Sequence, residues 1–250
     1  IAMLYDAGKI NAAVVIAPKG VYRNWERLEI PAHLPDHIKT RITTWVAPSS
    51  RTKQDKKDID KLSETFDGLD IFLMNVEALS SKPAAEFLAR YLNSTVSLLA
   101  VDESTTIKTI SASRTKNLIR SSRQAKYRRI LTGSPVTKNP LDLYSQCQFL
   151  DEDLLGFSSY YAYKARYAIE VKRHSSTHAF NHVVGFRNLD ELSYRLSQFS
   201  FRVLKEDCLD LPPKVYSPRH IELTKEQQKA YNDLETFAIT QLNENTLSVT

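Results

Sequence analysis

The sequence predicts an α/β fold in which helices cover both faces of a parallel five-stranded sheet. Short apolar runs rich in β-branched residues alternate with helical stretches through the first half of the chain. This alternation is typical of strand-helix-strand units, in which a helix connects each strand to the next parallel one. The predicted strands are residues 12–17, 38–46, 70–75, 96–101 and 128–131, and the predicted helices are residues 22–30, 53–66, 83–92 and 114–123.

The composition allows several partners and excludes few. With 250 residues, of which 42% are hydrophobic, the chain can bury a substantial core. The formal net charge of +5 permits a polyanionic partner without requiring one. Cys147 and Cys208 form no CxxC pattern, which favours a reducing, intracellular setting. Apolar runs are too short for a membrane span, so no membrane partner is expected.

The pattern changes along the chain and predicts three parts. Residues 1–150 carry the strand and helix alternation. Residues 151–208 show helical periodicity, many tyrosines and no convincing strand, and are predicted to form a helical protrusion. Residues 209–250 begin with a two-proline break and are predicted to form one strand at 215–223 and a helix at 224–242.

An acidic pair, Asp102 and Glu103, follows the apolar strand in the segment SLLAVDESTTIK, residues 97–108. Ligands of open α/β sheets bind at the carboxyl ends of the strands, where both carboxylates would lie. Phosphoryl transfer needs one carboxylate to hold Mg²⁺ and one group to orient the attacking water, roles that suit Asp102 and Glu103 respectively. The alternative is an acidic pair that stabilises a helix N-terminus through the helix dipole.

Two further strand ends carry polar residues. The segment RRILTGSP, residues 128–135, would bring the hydroxyls of Thr132 and Ser134 to the same sheet edge as the acidic pair. In AAVVIAPKGVYRNW, residues 12–25, backbone amides and cationic side chains after the strand suit a phosphate backbone. The alternative for this last segment is a plain strand-turn-helix connection in which Trp25 anchors the core.

In this order, the segments resemble the Swi/Snf family of superfamily two helicase-like ATPases. VVIAPKGVYRNW is similar to motif Ia of that family, IFLMNVEAL at 71–79 to motif Ib, LLAVDESTTIK to motif II and RRILTGSPVTKNPLDLYSQ to motif III. The resemblance continues through FRVLKEDCLDLPPK at 201–214 and ELTKEQQKAY at 222–231. Ser104 gives the sequence DES where DEG or DEA is more usual, a feature of compact phage and bacterial members.

The resemblance implies a fold, a reaction and a set of site residues. It implies a RecA-like lobe of the P-loop NTPase type that uses ATP and Mg²⁺ and moves along double-stranded DNA, with a second RecA-like lobe as its partner. Asp102 would hold Mg²⁺ through water, and Glu103 would polarise the attacking water. Two further sets are implied: Thr132, Gly133, Ser134 and Lys108 to couple nucleotide state to movement, and Pro18, Lys19, Gly20, Asn24, Asn75 and Glu77 to face the DNA backbone.

A phosphate-binding loop of the form GxxxxGK[ST] is expected just before Ile1, because Gly8-Lys9 is followed by Ile10 and does not match it. The arginine finger is expected in the second lobe, beyond Thr250. Such a finger contributes about 10³–10⁵ in rate. The 250 residues by themselves are therefore expected to hydrolyse ATP negligibly. The expected location is the cytoplasm of a bacterium or of a phage-infected cell, or another intracellular setting.

Two other functions remain open on the sequence. The chain could be a non-catalytic module, derived from such an ATPase, that binds DNA or a protein. It could also be a metal-dependent nuclease that uses Asp102, Glu103 and Lys108, although a third acidic ligand at plausible spacing is missing.

Overall fold

The computed structural model describes residues 1–174, 179–208, 210, 212 and 215–243. The chain divides into two compact units, Ile1–Ser200 and Phe201–Thr250, which are described separately.

A parallel five-stranded sheet forms the centre of the first unit and confirms the predicted fold class. The strand order is β2-β3-β1-β4-β5, with β1 in the middle and every residue of β1 buried. The second strand is shorter than predicted, and the other four match to within one residue at each end. The strands are β1 (Ala12–Ala17), β2 (Thr40–Thr44), β3 (Leu69–Asn75), β4 (Ser97–Asp102) and β5 (Tyr127–Leu131).

Helices cover both faces of the sheet. They are α1 (Ala2–Asp6), α2 (Tyr22–Asn24), α3 (Ile30–His33), α4 (Lys53–Asp60), α5 (Lys82–Ser94), α6 (Ser113–Ser122) and α7 (Leu143–Leu150). A five-residue π-helix, Trp25–Glu29, joins α2 to α3, so residues 22–33 are helical throughout.

Alternate residues of each central strand enter two separate cores. In β1, Val14 and Ile16 pack in one cluster with Leu88 of α5 and Leu118 of α6. Val15 packs on the opposite face in a cluster that includes Ile30, with Trp25 against it. Because successive side chains point to opposite faces of a sheet, a strand that is apolar at every position must be covered on both faces.

A tyrosine-rich cluster follows the sheet, and a β-hairpin extends from it. The helix α8 (Tyr160–Tyr167) leads into antiparallel strands β6 (Ala168–His174) and β7 (Ala179–Phe186), and α9 (Leu189–Ser197) follows. Tyr144, Tyr163 and Tyr167 are buried together, and the Tyr163 hydroxyl donates to the carbonyl of Pro140 at 2.8 Å.

The hairpin contradicts the prediction that residues 151–208 form a helical protrusion without strands. The tyrosines at 160, 163 and 167 set a helical period, and charged residues interrupt the strand that follows. Ile169 and Val171 do alternate with Glu170 and Lys172, but this alternation is too short to stand out from the helical period before it. The division of the chain into the three predicted parts stays a prediction.

In the second unit, α10 (Lys205–Cys208) precedes a long helix, α11 (Lys225–Asn243), which confirms the predicted C-terminal helix. The strand predicted at 215–223 is wrong, since these described residues have no regular secondary structure. Among the described residues of this unit there is no strand that could supply backbone partners for the segment. In the two-proline stretch, residues 209, 211, 213 and 214 lie outside the described ones. Nowhere in the described part of the chain is a helix long and apolar enough to cross a membrane.

We expect Gly68→Ala to destabilise the first unit. A Cβ at Gly68 would lie 2.5 Å from the backbone carbonyl oxygen of Lys39 and 2.6 Å from the Phe66 ring, so the backbone before β3 must shift. Such overpacking costs about 1–3 kcal/mol. The control is Gly133→Ala, where a Cβ meets nothing within 4 Å. The melting temperatures of both variants are measured by circular dichroism. Equal melting temperatures would contradict the tight packing at Gly68.

Candidate active site

Register in the sheet brings the candidate site residues to one edge. Ala17 at the end of β1 lies opposite Asn75 at the end of β3, and Ile16 lies opposite Val101 of β4. On the other side of β4, Asp102 lies opposite Leu131 at the end of β5. The loops after these four parallel strands therefore lie side by side, as predicted for the carboxyl edge of an open sheet.

Asp102 ends β4 and has a hydrogen-bond donor on each carboxylate oxygen. The indole Nε1 of Trp25 donates to Oδ2 at 2.9 Å, and the backbone N–H of Glu103 donates to Oδ1 at 3.0 Å. Trp25 also packs against the core, so it is an anchor as well as a donor. Sequence reasoning missed this contact. The signal for it was general: an indole N–H that is partly buried needs an acceptor.

Glu103 is exposed and its backbone is left-handed, with φ 51° and ψ 58°. This conformation costs a residue with a side chain about 1–2 kcal/mol, and such strain is concentrated at functional sites. A four-residue 3₁₀ turn, Ser104–Ile107, follows, and the next α-helix begins only at Ser113. The alternative in which the acidic pair stabilises an α-helix N-terminus therefore lacks its helix.

A buried polar network connects the loop after β4 with the loop after β5. The Ser104 hydroxyl donates to Gln146 Oε1 at 2.6 Å, and both residues are fully buried. Gln146 Nε2 then donates to the carbonyl oxygens of Pro135 and Asp142, each at 2.8 Å. The helix α7, which carries Gln146, thus holds both loops in fixed positions. Ser104, the departure from the usual motif, gains a specific partner.

Lys108 makes a second connection between the same two loops. Its ammonium group donates to the Thr137 hydroxyl at 2.5 Å, and that hydroxyl donates to Asp142 Oδ2 at 2.7 Å. Burial acts to raise the pKa of Asp142. Hydrogen bonds from Thr137 and from the Lys138 amide, together with the charge of Lys108, outweigh burial and lower that pKa. Lys108 therefore faces an ionised carboxylate through a shared hydroxyl group.

The loop after β5 is stabilised by its own hydroxyl groups. Thr132 Oγ1 accepts the N–H of Ser134 at 3.2 Å, and the Ser134 hydroxyl donates to the carbonyl of Val136 at 3.0 Å. Gly133 between them is exposed. The structure thus places these three residues next to Asp102 along the edge. Their part in coupling stays a prediction.

The candidate DNA-facing residues lie after β1 and β3 on the neighbouring part of the edge. Pro18 begins a turn in which its carbonyl accepts the Val21 N–H at 3.0 Å, and Gly20 has φ +96°, a conformation that favours glycine. Lys19, Gly20 and Asn24 are exposed.

After β3, the Asn75 amide donates to the exposed carboxylate of Glu77 at 3.2 Å. Because β1 and β3 are adjacent, this pair lies beside the turn at Pro18. The predicted set is brought together in space, and its contacts with DNA stay a prediction.

The Gly8-Lys9 dipeptide ends a helix. The Gly8 N–H donates to the carbonyl of Tyr5 at 2.8 Å, the Lys9 N–H donates to that of Leu4 at 2.9 Å, and Gly8 has φ +63°. These two bonds form a Schellman motif, which closes the C-terminus of α1. The local geometry agrees with the sequence in showing that this dipeptide is not a phosphate loop.

The donor groups at this edge fit Mg²⁺ bound together with a nucleotide. Mg²⁺ usually keeps several waters and takes one or two carboxylates plus substrate phosphates, so Asp102 by itself can serve. Among the described residues, no group of three or more His, Cys, Asp or Glu side chains is arranged to hold a metal ion. The nuclease alternative, which needs further acidic ligands, gains no support from the described part of the chain.

A parallel sheet of this order, with an acidic pair at the end of β4 beside a hydroxyl-rich loop after β5, has the RecA-like fold. The whole chain, residues 1–250, matches the SNF2-related domain. The chain therefore belongs to the SNF2-related family, which confirms the family named from the motifs.

Similarity to individual proteins is consistent with this assignment. The chain is 36% identical over 110 residues to the TATA-binding protein-associated factor MOT1 of Saccharomyces cerevisiae, covering 44% of this chain and 6% of that protein. It is 26% identical over 251 residues to Protein CHROMATIN REMODELING 20 of Arabidopsis thaliana, covering 92% and 16%. It is 28% identical over 209 residues to the DNA annealing helicase and endonuclease ZRANB3 of Bos taurus, covering 81% and 19%.

Among solved structures, the Sulfolobus solfataricus SWI2/SNF2 ATPase core in complex with dsDNA matches with a TM-score of 0.55 at 24% identity. The match covers 98% of this chain and 45% of that one, and it supports the fold. The chain spans only 6–19% of the length of the three curated relatives above. These proteins are eukaryotic and archaeal, and the narrower likeness to phage and bacterial members stays a prediction.

We expect Gln146→Leu to lower the free energy of unfolding by about 2 kcal/mol, because it leaves the buried Ser104 hydroxyl without its acceptor. Adding Ser104→Ala should then cost little, since the orphaned hydroxyl is removed. Urea unfolding of both single variants and the double variant measures this coupling. Strictly additive losses would contradict a shared network.

Proposed function

We propose that this chain is the first RecA-like lobe of an ATP-driven motor that moves along double-stranded DNA. The observation that carries the proposal is the Asp102–Glu103 pair at the carboxyl edge of β4, joined to the loop after β5 by Gln146. The motor would also need a phosphate-binding loop and a second RecA-like lobe. We propose that both belong to a longer protein of which this chain is a part, and that the motor acts inside the cell.

The residues at the edge divide the chemistry between them. Asp102 would hold Mg²⁺ through water, and the bound ion would neutralise charge on the phosphates of ATP. Glu103 is exposed next to Asp102 and would orient the attacking water by accepting a hydrogen bond from it. Four residues would couple the state of the nucleotide to movement: Thr132, Gly133, Ser134 and Lys108. Gln146 connects the loop after β5, which carries the first three, to the loop after β4. Lys108, in the loop after β4, is hydrogen-bonded to Thr137 in the loop after β5.

The DNA would contact the other half of the edge, at Pro18, Lys19, Gly20 and Asn24 and at the Asn75–Glu77 turn. Support comes from the exposure of Lys19, Gly20, Asn24 and Glu77, from the positive charge of Lys19 and from the positive φ of Gly20 in the turn. The archaeal relative is described in complex with dsDNA. Movement along the duplex, rather than separation of its strands, is proposed from the family likeness, as is a phage or bacterial origin.

Hydrolysis of Mg-ATP with and without double-stranded DNA tests the proposal. The protein should be extended at both ends to include a phosphate loop and a second lobe, and compared with its Glu103→Gln variant. We expect DNA to stimulate turnover and Glu103→Gln to lower it by about 10²–10⁴, the usual loss of a general acid-base group. The 250-residue chain by itself should show negligible turnover.

DNA binding without turnover in either extended protein would instead identify a non-catalytic binding module. DNA cleavage without nucleotide would identify a nuclease. Either result would overturn the assignments of Asp102 and Glu103 made above.

We expect Lys19→Ala to reduce the salt dependence of DNA binding. If Lys19 contacts one phosphate, its loss should lower the slope of log affinity against log salt by about 0.9. The matched control is Lys56→Ala, another exposed lysine, on α4 among charges of both signs. Fluorescence anisotropy with a labelled duplex over a salt series measures both slopes. Equal slopes for the two variants would remove Lys19 from the interface.

A further inference from the structure

The indole of Trp25 connects the turn after β1 to the acidic residue that ends β4. Trp25 is the first residue of the π-helix and directly follows Asn24, one of the proposed DNA contacts. Its Nε1 lies 2.9 Å from Asp102 Oδ2, although the two residues are 77 positions apart. π-Helices are rare and often occur at functional sites.

The indole has little freedom to move independently of its backbone. Its ring is partly buried against the cluster that contains Val15 and Ile30, and a tryptophan side chain has only two rotatable bonds. Upstream, the carbonyl of Pro18 accepts the N–H groups of Val21 and Tyr22 at 3.0 and 3.3 Å, which fixes the turn to the start of the helix. A displacement of the turn must therefore move the indole N–H.

The carboxylate of Asp102 depends on this donor for its orientation. Terminal carboxylate torsions are broad, so an aspartate held only through its own backbone samples several orientations. The Glu103 N–H holds Oδ1, and the Trp25 indole holds Oδ2. A hydrogen bond to an ionised acceptor is about twice as strong as one between neutral groups, which makes the indole an effective constraint.

We propose that Trp25 is a positioning residue that orients the Asp102 carboxylate for a divalent cation and transmits movement of the Pro18–Asn24 turn to that carboxylate. DNA bound at the turn would thereby alter the metal site through one hydrogen bond. This inference rests on the proposed function of the edge.

The contact itself can be tested without metal or nucleotide. The chain has two tryptophans, so Trp45→Phe leaves Trp25 as the single indole of the 250 residues. In that background we expect Asp102→Ala to shift the Trp25 emission, because a charged acceptor is lost. We expect saturating double-stranded DNA to shift it as well, and we expect the DNA-induced shift to shrink when Asp102 is alanine. An emission insensitive to both changes would overturn the proposal.

The consequence for the metal is measured in the extended protein with Trp25→Phe, which keeps an aromatic ring and removes the N–H. Loss of a group that orients a metal ligand lowers metal affinity by about 10–100-fold. We therefore expect Mn²⁺ to bind at least tenfold more weakly in the presence of ADP, followed by electron paramagnetic resonance. DNA affinity should stay within about twofold, as no DNA-facing group is removed. Trp45→Phe, which lies beyond β2 and packs on Phe87, is the control.

The outcomes separate this inference from the proposed function. If Trp25→Phe leaves Mn²⁺ affinity and DNA stimulation unchanged while Glu103→Gln abolishes turnover, the inference is wrong and the motor stands. If the unsubstituted extended protein neither binds Mn²⁺-ADP nor turns over, both fall. If Trp25→Phe does not fold, as judged by its melting temperature, the fluorescence result in the Trp45→Phe background decides.

Discussion

Burial of β1 at the centre of a parallel sheet is the constraint on which the rest of the structure depends. All six of its residues are apolar and buried, so the strand can bring polar groups to a ligand only where it ends. Parallel pairing with β3 and β4 makes all three strands end at the same edge. A register shift of one residue would exchange the two faces of the strand and separate Pro18 from Asp102, which the hydrophobic cores on both faces resist.

The helix α7 gives this edge its internal connections. Phe149 packs in the core beneath the sheet, while Tyr144 and Cys147 pack in the tyrosine cluster, so the helix joins two cores. Between these apolar contacts it carries Gln146, which bonds to both loops. Burial of a polar side chain costs free energy unless its hydrogen bonds are made, and a network that is fully made holds its members in one arrangement. The loops after β4 and β5 are therefore held in one arrangement through α7.

The elements that the sequence predicts best are those set by local pattern. Strands β1, β3 and β4 follow from apolar runs, and the position of Asp102 follows from the rule that such runs end at the ligand edge. The strands at 168–174 and 179–186 were missed because the tyrosines before them set a helical period and charged residues flank Ile169 and Val171. The contact of Trp25 with Asp102 was missed because 77 residues separate them, and only the folded sheet brings them together. The left-handed backbone of Glu103 could not be predicted either, because glutamate rarely adopts this conformation.

The left-handed backbone at Glu103 means that the residue best for stability differs from the residue proposed for catalysis. Glycine adopts the left-handed conformation at no steric cost, so replacing the exposed Glu103 by glycine would relieve the strain of an L-residue, at most about 1–2 kcal/mol. A search for thermostable variants would therefore favour the loss of the carboxylate proposed to orient water. Proteins commonly accept such a cost where a strained residue does chemistry. If related sequences keep glutamate at this position although glycine would be less strained, this would indicate selection for catalysis.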